Sequence, residues 1–229
     1  MYRTEDKYYL SPAEMDILEN KIRTFLRTDE NADESGVYHV SSLYFDDYKD
    51  GCFRETIDGT PVRKKYRIRI YENSFENAKL EIKEKHYRAS RKISSPIEKE
   101  EVKALINGEL FELNDSDEAR RVFYADYEKR ILRPAVIVSY TRSAYIYEPG
   151  NVRITFDRNI RASGDFKRFG KKKMIFSNLE GVGVVEVKYD TFIPTFISKL
   201  LETGSMNLVS NSKYVLCRIA INKKGEFSL

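Results

Sequence analysis

Charged and apolar residues alternate along the stretch Arg63–Tyr71, which reads RKKYRIRIY. Successive side chains of a β-strand point to opposite faces of the sheet. The apolar residues at every second position from Tyr66 to Ile70 therefore share one face, and Arg67 and Arg69 share the other. The pattern predicts a strand with one face that can pack and one face that needs an anion, a row of carboxylates or water.

The same alternation recurs in four further segments, each with charged residues on one face and β-branched or aliphatic residues on the other. These segments are Lys79–Lys85, Ser139–Tyr145, Val152–Asp157 and Val184–Tyr189. If the charged faces turn outward, the protein is a highly charged sheet, as a partner-binding scaffold would be. If they turn inward, a closed barrel has a polar lumen suited to polyanions and divalent metal.

Helical spacing predicts the first helix directly after an N-terminal strand at residues 2–10. Ser11 is expected to be its N-cap, with Pro12 at the first helical position and Glu14 completing a capping box. The residues expected on its inward face are Met15, Leu18, Ile22, Phe25 and Leu26.

Three later helices are predicted from start and stop signals along the chain. One opens at Ser95 and Pro96 and ends at Gly108, and another runs over Pro194–Thr203 to Gly204. The third runs from Asp115 to about Leu132, with Ala119, Val122, Phe123, Tyr127 and Ile131 inward.

The remaining segments are read as strands, turns and loops. A hairpin is expected from Ala135–Tyr147 and Val152–Asp157, joined by a turn at Pro149 and Gly150. Glycines predict a turn over Lys49–Thr60, and Asn159–Lys173 reads as a solvated loop. A last strand is expected from Ser212 to Ile221.

About eight strands with interspersed helices predict an α+β fold. We expect a closed antiparallel β-barrel that forms a polar tunnel, with helices packed outside. The whole chain, residues 1–229, is expected to be one domain.

Composition narrows the classes of function. The 229 residues contain 40 Lys and Arg against 36 Asp and Glu, a net charge of +4, which disfavours a nucleic-acid-binding coat. Two cysteines, Cys52 and Cys217, are too few for a disulfide framework or a zinc site. The sequence shows no signal peptide and no apolar run that would span a membrane. A soluble cytoplasmic protein is expected, and its oligomeric state is left open.

A set of short motifs in a fixed order then resembles one family. The motifs are RTEDKY at Arg3–Tyr8, LYFD at Leu43–Asp46, RKKYRIRIY, LEIKEK, SYTR, RITFD, EVK and SKY, the last ending at Tyr214. Together they resemble the VTC-type polyphosphate polymerase domain of the triphosphate tunnel metalloenzyme superfamily. The resemblance implies a β-tunnel in which the terminal phosphate of ATP is transferred to a growing polyphosphate chain, with a divalent metal, Mn²⁺ or Mg²⁺.

The resemblance also implies roles for individual residues. The implied catalytic residues are Arg67, Arg69, Lys83, Arg142 and Lys213. The implied substrate-binding residues are Lys7, Tyr140, Arg153, Lys188 and Ser212. The implied metal ligands are Glu186 and Glu5. The wider superfamily has a Glu-x-Glu-x-Lys signature, whose first acidic position is Arg3 in this sequence.

The expected partners are ATP and polyphosphate or another polyphosphorylated anion, with no nucleic acid. Two alternatives require nearly the same residues: a metal-dependent hydrolase of tripolyphosphate or nucleoside triphosphate, and a non-catalytic polyphosphate-binding module. Phosphoryl transfer asks a protein mainly for positioning and charge stabilisation, which a row of Arg and Lys supplies in each case.

Overall fold

The computed structural model describes residues 4–29, 36–87, 89–110, 117–174, 176–181, 183–202, 207–208 and 212–223. The strands are β1 (Thr4–Leu10), β2 (Arg27–Thr28), β3 (Val37–Asp46), β4 (Val62–Tyr71), β5 (Ser74–His86), β6 (Ala89–Pro96), β7 (Arg133–Tyr147), β8 (Val152–Ser163), β9 (Ser177–Asn178), β10 (Gly183–Tyr189) and β11 (Asn207–Leu208). The helices are α1 (Pro12–Phe25), α2 (Gly51–Ile57), α3 (Lys99–Asn107), α4 (Glu118–Arg130), α5 (Thr195–Leu201) and α6 (Lys213–Lys223).

The strands form one large antiparallel sheet, so the predicted α+β class is confirmed. The hydrogen-bonded order is β11-β1-β10-β8-β7-β3-β4-β5-β6, with β2 beside β7 and β9 beside β8. The expected closed barrel is wrong, because the end strands β11 and β6 of this order are not paired with each other in the described part of the chain. Alternation along a strand decides which side chains share a face, whereas closure depends on whether the two sheet edges meet.

Contacts divide the chain into two compact units. The first unit comprises Met1–His39, Tyr140–Ile160 and Asn178–Ser210, and the second comprises Val40–Ser139, Arg161–Ser177 and Asn211–Leu229. Each has its own apolar core on one face of its strands. In the first unit Ile154, Phe156 and Val185 pack with residues of α1 and α5. In the second, residues of β4 and β5 pack with α3 and α4.

Helix α1 begins as the sequence predicts. The Ser11 side chain accepts a hydrogen bond from the Glu14 backbone N–H, and the Glu14 carboxylate accepts one from the Ser11 backbone N–H. A cap of this kind stabilises a helix by about 1 kcal/mol. Met15, Leu18, Ile22 and Leu26 are buried as expected, but Phe25 is exposed, because the helix ends there and its side chain lies outside the apolar stripe.

Two later helices are shorter than their predicted spans. Helix α3 starts at Lys99 with Glu98 as N-cap, because Ser95 and Pro96 still belong to β6; its predicted end at Gly108 is confirmed. Helix α4 ends at Arg130, and Ile131 is exposed in a left-handed conformation instead of facing inward. The predicted boundaries at Asp115, Thr203 and Gly204 lie outside the described residues.

The predicted strand from Ser212 to Ile221 is wrong, because this segment is helix α6. Its buried residues follow helical spacing and are Tyr214, Val215, Cys217, Arg218 and Ile221. The segment Lys49–Thr60, expected as a turn, contains helix α2. The segment expected as a solvated loop begins as strand, since β8 continues to Ser163.

The turn between β7 and β8 is the predicted one. Pro149–Asn151 form a single 3-10 turn, in which Gly150 has a positive φ of 78°. A Cβ atom at this position would lie 2.5 Å from the Phe192 carbonyl oxygen, so only glycine fits.

No helix in the described residues has the length and apolar character needed to cross a membrane.

Candidate functional site

The charged face of β4 and β5 lies opposite the apolar core of the second unit. Tyr66, Ile68 and Ile70 are fully buried in that core, so Arg67 and Arg69 point to the other face, as the alternation predicts. Their side chains are 22% and 12% exposed, so this face is not a solvated surface.

One carboxylate, Glu81, lies among these cations. The Nε of Arg67 donates to Glu81 Oε2 at 2.6 Å, the Nε of Arg69 is 3.6 Å from the same oxygen, and Lys92 Nζ is 3.1 Å from Oε1. Burial alone would raise the pKa of Glu81, but the charges of Arg67, Arg69 and Lys92 outweigh it and hold that pKa well below its usual range. Three cations therefore surround one ionised carboxylate, and the group keeps a net charge of +2.

Two further lysines extend the positive charge of this face. Lys65 and Lys83 are opposite each other in the β4–β5 register, two residues from Arg67 and Glu81 respectively. Lys65 Nζ donates to Ser212 Oγ at 3.0 Å, and Ser212 Oγ in turn accepts from the Val215 backbone N–H at 3.4 Å. Ser212 therefore holds the start of α6 and joins it to the cationic strand face.

Aromatic side chains fix the position of Arg67. Its terminal nitrogen donates to the Tyr44 hydroxyl at 3.0 Å, and the Tyr44 ring stacks on Tyr214 of α6 with centroids 5.0 Å apart. The guanidinium is thus oriented by a carboxylate on β5 and a phenol on β3. Such bonds reduce the freedom of a long side chain before any ligand binds.

In the first unit, acidic and basic residues alternate across β1 and β10. Glu5 is opposite Lys188, and Lys7 is opposite Glu186. Lys188 Nζ lies 3.0 Å from Glu186 and 4.0 Å from Glu5, while Lys7 forms an ion pair with Glu5. This face therefore carries carboxylates and amines in equal number.

Arg142 is the most deeply buried of the predicted catalytic residues. It donates to both carboxylate oxygens of Asp157, at 2.6 and 2.8 Å, and lies 4.0 Å from Glu186. Its guanidinium lies 5.2 Å from the centroid of the Tyr140 ring. Burial acts to lower the pKa of Arg142, but Asp157 raises it well above the ordinary value, so the residue stays charged.

Arg153 has a different carboxylate partner. Its Nε and a terminal nitrogen donate to Asp29 Oδ2 at 2.9 and 2.6 Å, and it also donates to the Tyr38 hydroxyl at 3.1 Å. Burial is the main cause of the raised pKa of Tyr38, so its hydroxyl stays protonated at neutral pH. Asp157 therefore neutralises Arg142, and Asp29 neutralises Arg153.

The family model for the VTC domain matches residues 2–221. The chain belongs to the VTC domain family. The match confirms the resemblance of the sequence motifs to this family over nearly the whole chain. The comparison with curated proteins gives no match.

Solved structures share the fold of this VTC domain. A candidate adenylate cyclase from Bacillus halodurans is 15% identical, with a TM-score of 0.56 and coverage of 93% of this chain and 96% of that chain. A candidate adenylyl cyclase from Hippeastrum, described as revealing a dominant triphosphatase activity, is 15% identical, with a TM-score of 0.55 and coverage of 100% and 98%. The PH1819 protein from Pyrococcus horikoshii OT3 is 15% identical, with a TM-score of 0.51 and coverage of 94% and 97%. At this identity the likeness establishes the fold alone.

The predicted site residues of the VTC domain fall into two groups. Glu5, Lys7, Tyr140, Arg142, Arg153, Glu186 and Lys188 belong to the first unit. Arg67, Arg69, Lys83, Ser212 and Lys213 belong to the second. The motif comparison missed Lys65 and Glu81, although the alternation in RKKYRIRIY and KLEIKEK places both on the face of Arg67.

The carboxylates of Glu5 and Glu186 fit the divalent metal that family membership implies. Carboxylate oxygen is the ligand that Mg²⁺ and Mn²⁺ prefer. Thr155 is opposite Glu186 in the β8–β10 register, and its Oγ1 is buried with no hydrogen-bond partner among the described residues. An oxygen atom left unpaired beside a buried carboxylate suits a metal ion or a water molecule bound to one.

A second acidic group, Asp46 with Asp47 and Cys52, has ligand atoms within 4.8 Å of one another. Asp46 Oδ1 accepts from the backbone N–H groups of Asp47 and Cys52, both at 2.8 Å, and Oδ2 accepts from Phe53 N–H and the Tyr214 hydroxyl. Its oxygens therefore hold the chain entering α2 and connect it to α6.

The other members of this group are also engaged. Asp47 accepts from the backbone N–H groups of Lys49 and Gly51 and pairs with Arg130 at 2.8 Å. Burial is the main cause of the raised pKa of Cys52, so its thiol stays protonated at neutral pH. We assign a structural role to this group.

Proposed function

We propose that this VTC domain binds the phosphate groups of a linear polyphosphorylated anion and acts on its phosphoanhydride bonds. The observation that carries the proposal is the arrangement around Glu81, where the largely buried Arg67 and Arg69 and the half-exposed Lys92 surround one carboxylate. Two largely buried arginines that share one carboxylate are unfavourable unless a further anion offsets their charge. Phosphate oxygens match the planar donor groups of arginine.

The reaction we propose first is the transfer of the terminal phosphate of ATP to a polyphosphate chain. An oxygen of the acceptor's terminal phosphate forms a bond to the γ-phosphorus of ATP. The bond between this phosphorus and the oxygen that bridges it to the β-phosphate breaks, so ADP leaves and the chain gains one phosphate. Arg67 and Arg69 would hold phosphoryl oxygens and stabilise the charge spread over them, with Lys65 and Lys83 adding point charges. Within the first unit, Lys7, Arg153 and Lys188 are proposed as residues that bind phosphate oxygens.

The carboxylates of Glu186 and Glu5 would hold Mn²⁺ or Mg²⁺. A divalent ion bound there supplies charge neutralisation of phosphate oxygens. Arg142 would position Glu186, since it lies 4.0 Å away while fixed by both oxygens of Asp157. Lys213 and Ser212, at the start of α6, would bind phosphate oxygens through the amine and the hydroxyl of their side chains.

Hydrolysis of tripolyphosphate or of a nucleoside triphosphate is the second candidate. It is favoured by the structural similarity to the Hippeastrum protein described as having a dominant triphosphatase activity. Water would replace the phosphate acceptor, so orthophosphate would be released. The residues that bind phosphate would serve both reactions.

Product analysis tests these proposals directly. The purified chain is incubated with radiolabelled ATP and Mn²⁺, with and without a short polyphosphate primer, and the products are separated on a gel. ADP with a ladder of long chains supports the polymerase, and orthophosphate without chains supports the hydrolase. Binding of polyphosphate without turnover at any metal concentration would overturn both and leave a binding module. Absence of binding would overturn the whole proposal.

A further inference from the structure

Two polar groups on β3 and β4 are buried without partners. Ser42 is 1% exposed, and its Oγ has no hydrogen-bond partner in the part of the chain that the structure describes. The Nε of Arg69 is likewise buried without a hydrogen-bond partner there, since its distance of 3.6 Å to Glu81 is too long for such a bond. Unpaired buried polar groups are rare and call for an explanation.

These two groups are direct neighbours across the strand pair. Ser42 is opposite Arg69 in the β3–β4 register, just as Tyr44 is opposite Arg67. Directly opposite residues on one face have Cβ atoms about 4.5–5.5 Å apart. The face is the cationic one, because Leu43 and Phe45, which alternate with Ser42, belong to the apolar core on the other side.

We infer that Ser42 and Arg69 form a binding site for one phosphate group, in which the Ser42 hydroxyl and the Arg69 Nε–H both donate to its non-bridging oxygens. A guanidinium nitrogen can only donate, and a serine hydroxyl can donate as well, so a single acceptor group satisfies both. An anionic acceptor also suits the net positive charge around Glu81. This inference deepens the proposed function and rests on it.

The neighbouring serine provides a matched control. Ser41 is also 1% exposed and its Oγ also lacks a partner among the described residues, but it is opposite Ile70 and therefore lies on the other face of β3. The two serines have the same size, burial and lack of partner, and differ in whether they face Arg69. Only Ser42 is expected to affect phosphate binding.

The test is calorimetry of inorganic tripolyphosphate binding, without metal, to the full chain and its variants. Ser42→Ala should weaken binding about tenfold, as loss of one hydrogen bond to a charged group does, whereas Ser41→Ala should leave it unchanged. Neither substitution should lower the melting temperature, because neither serine hydroxyl has a hydrogen-bond partner among the described residues. If Ser42→Ala disturbs the fold, Ser42→Cys keeps the volume and replaces the hydroxyl with a weak donor, and the same loss is expected.

A double-mutant cycle with Arg69→Gln tests whether the two groups share one phosphate. The combined variant should lose less affinity than the product of the two single losses, because each single change already disrupts the same contact. If wild type binds tripolyphosphate and Ser42→Ala binds it equally well, the inference is overturned and the proposed function still stands. If the binding free energies lost in the two single variants simply add in the combined variant, the two groups do not share one phosphate. Wild-type protein that fails to bind tripolyphosphate would instead refute the proposed function itself.

Discussion

Arg67 and Glu81 are opposite each other on β4 and β5, and the Nε of Arg67 donates to Glu81 Oε2 at 2.6 Å. The same carboxylate oxygen lies 3.6 Å from Arg69. Glu81 therefore orders the arginines that we assign to phosphate binding, and it also competes with phosphate for them. Its substitution separates these two effects.

Replacing Glu81 with Gln should lower stability and strengthen phosphate binding. The ion pairs with Arg67, Arg69 and Lys92 are lost, which we expect to cost about 1–3 kcal/mol of unfolding free energy at pH 7. The charge of the group rises from +2 to +3, so tripolyphosphate should bind more tightly at low salt, and the gain should shrink as salt is added. Urea unfolding and calorimetry measure the two quantities.

The stability difference between these proteins should depend on pH. The pKa of Glu81 is depressed in the folded state, so its contribution is fully present above the unfolded pKa of about 4.3 and is lost as pH falls toward the folded pKa. Wild type and Glu81→Gln should therefore differ most at pH 6–7, and the difference should shrink progressively as the pH falls below about 4. A constant difference from pH 7 to pH 3 would contradict the ionised, ion-paired carboxylate.

Adjacent lysines on opposite faces of β4 offer a second prediction. Lys65 contacts Ser212 on the cationic face, whereas Lys64 pairs with Asp126 of α4 at 2.8 Å. Lys65→Ala should weaken tripolyphosphate binding about fivefold, because one nearby positive charge is removed. Lys64→Ala should reduce stability by about 1 kcal/mol or less and leave binding unchanged. Equal effects of both changes on affinity would show that only the overall charge of the protein matters.

Much of the charged face follows from period-two alternation alone. Arg67 and Arg69 lie opposite the core because Tyr66, Ile68 and Ile70 occupy it, and Glu186 and Lys188 are separated from Val185 and Val187 in the same way. This holds wherever one face of a strand must pack.

Other features could not be read from the sequence. The segment after Ser212 contains β-branched residues, which favour strands. In the structure it is helical, and Tyr214 and Arg218, four residues apart, both contact Asp46. The face of β3 on which Ser42 lies could not be predicted, because both faces of this strand are buried and polar and apolar residues alternate only weakly along it. Closure of the sheet depends on pairing between strands distant in sequence, which no local pattern specifies.

Arg142 should contribute more to stability than the other predicted catalytic residues. Arg142→Ala removes the bidentate ion pair from the Asp157 carboxylate, which has no exposed surface, and we expect a loss of about 3–5 kcal/mol in urea unfolding. Adding Asp157→Asn should recover part of this loss, because the buried negative charge that Arg142 offset is then removed. A loss below about 1 kcal/mol in the single variant would contradict the structural role of the pair.

The assignment of Glu186 to the metal gives the last prediction. Glu186 is buried beside Lys188 at 3.0 Å and opposite Thr155, so its carboxylate serves either as a metal ligand or as an ion-pair partner. If it holds the metal, Glu186→Gln should abolish metal-dependent turnover and leave metal-free tripolyphosphate binding equal or slightly tighter, since a negative charge has left a phosphate-binding face. Glu118→Gln removes the same charge from an exposed pair with Arg91 and is the matched control. If Glu186 only orders Lys188 and Arg142, the change should weaken binding and stability, and the remaining activity should keep the wild-type dependence on Mn²⁺. Turnover measured across a manganese titration for the three proteins decides between the two roles, because an unshifted titration curve in Glu186→Gln would rule out this metal ligand.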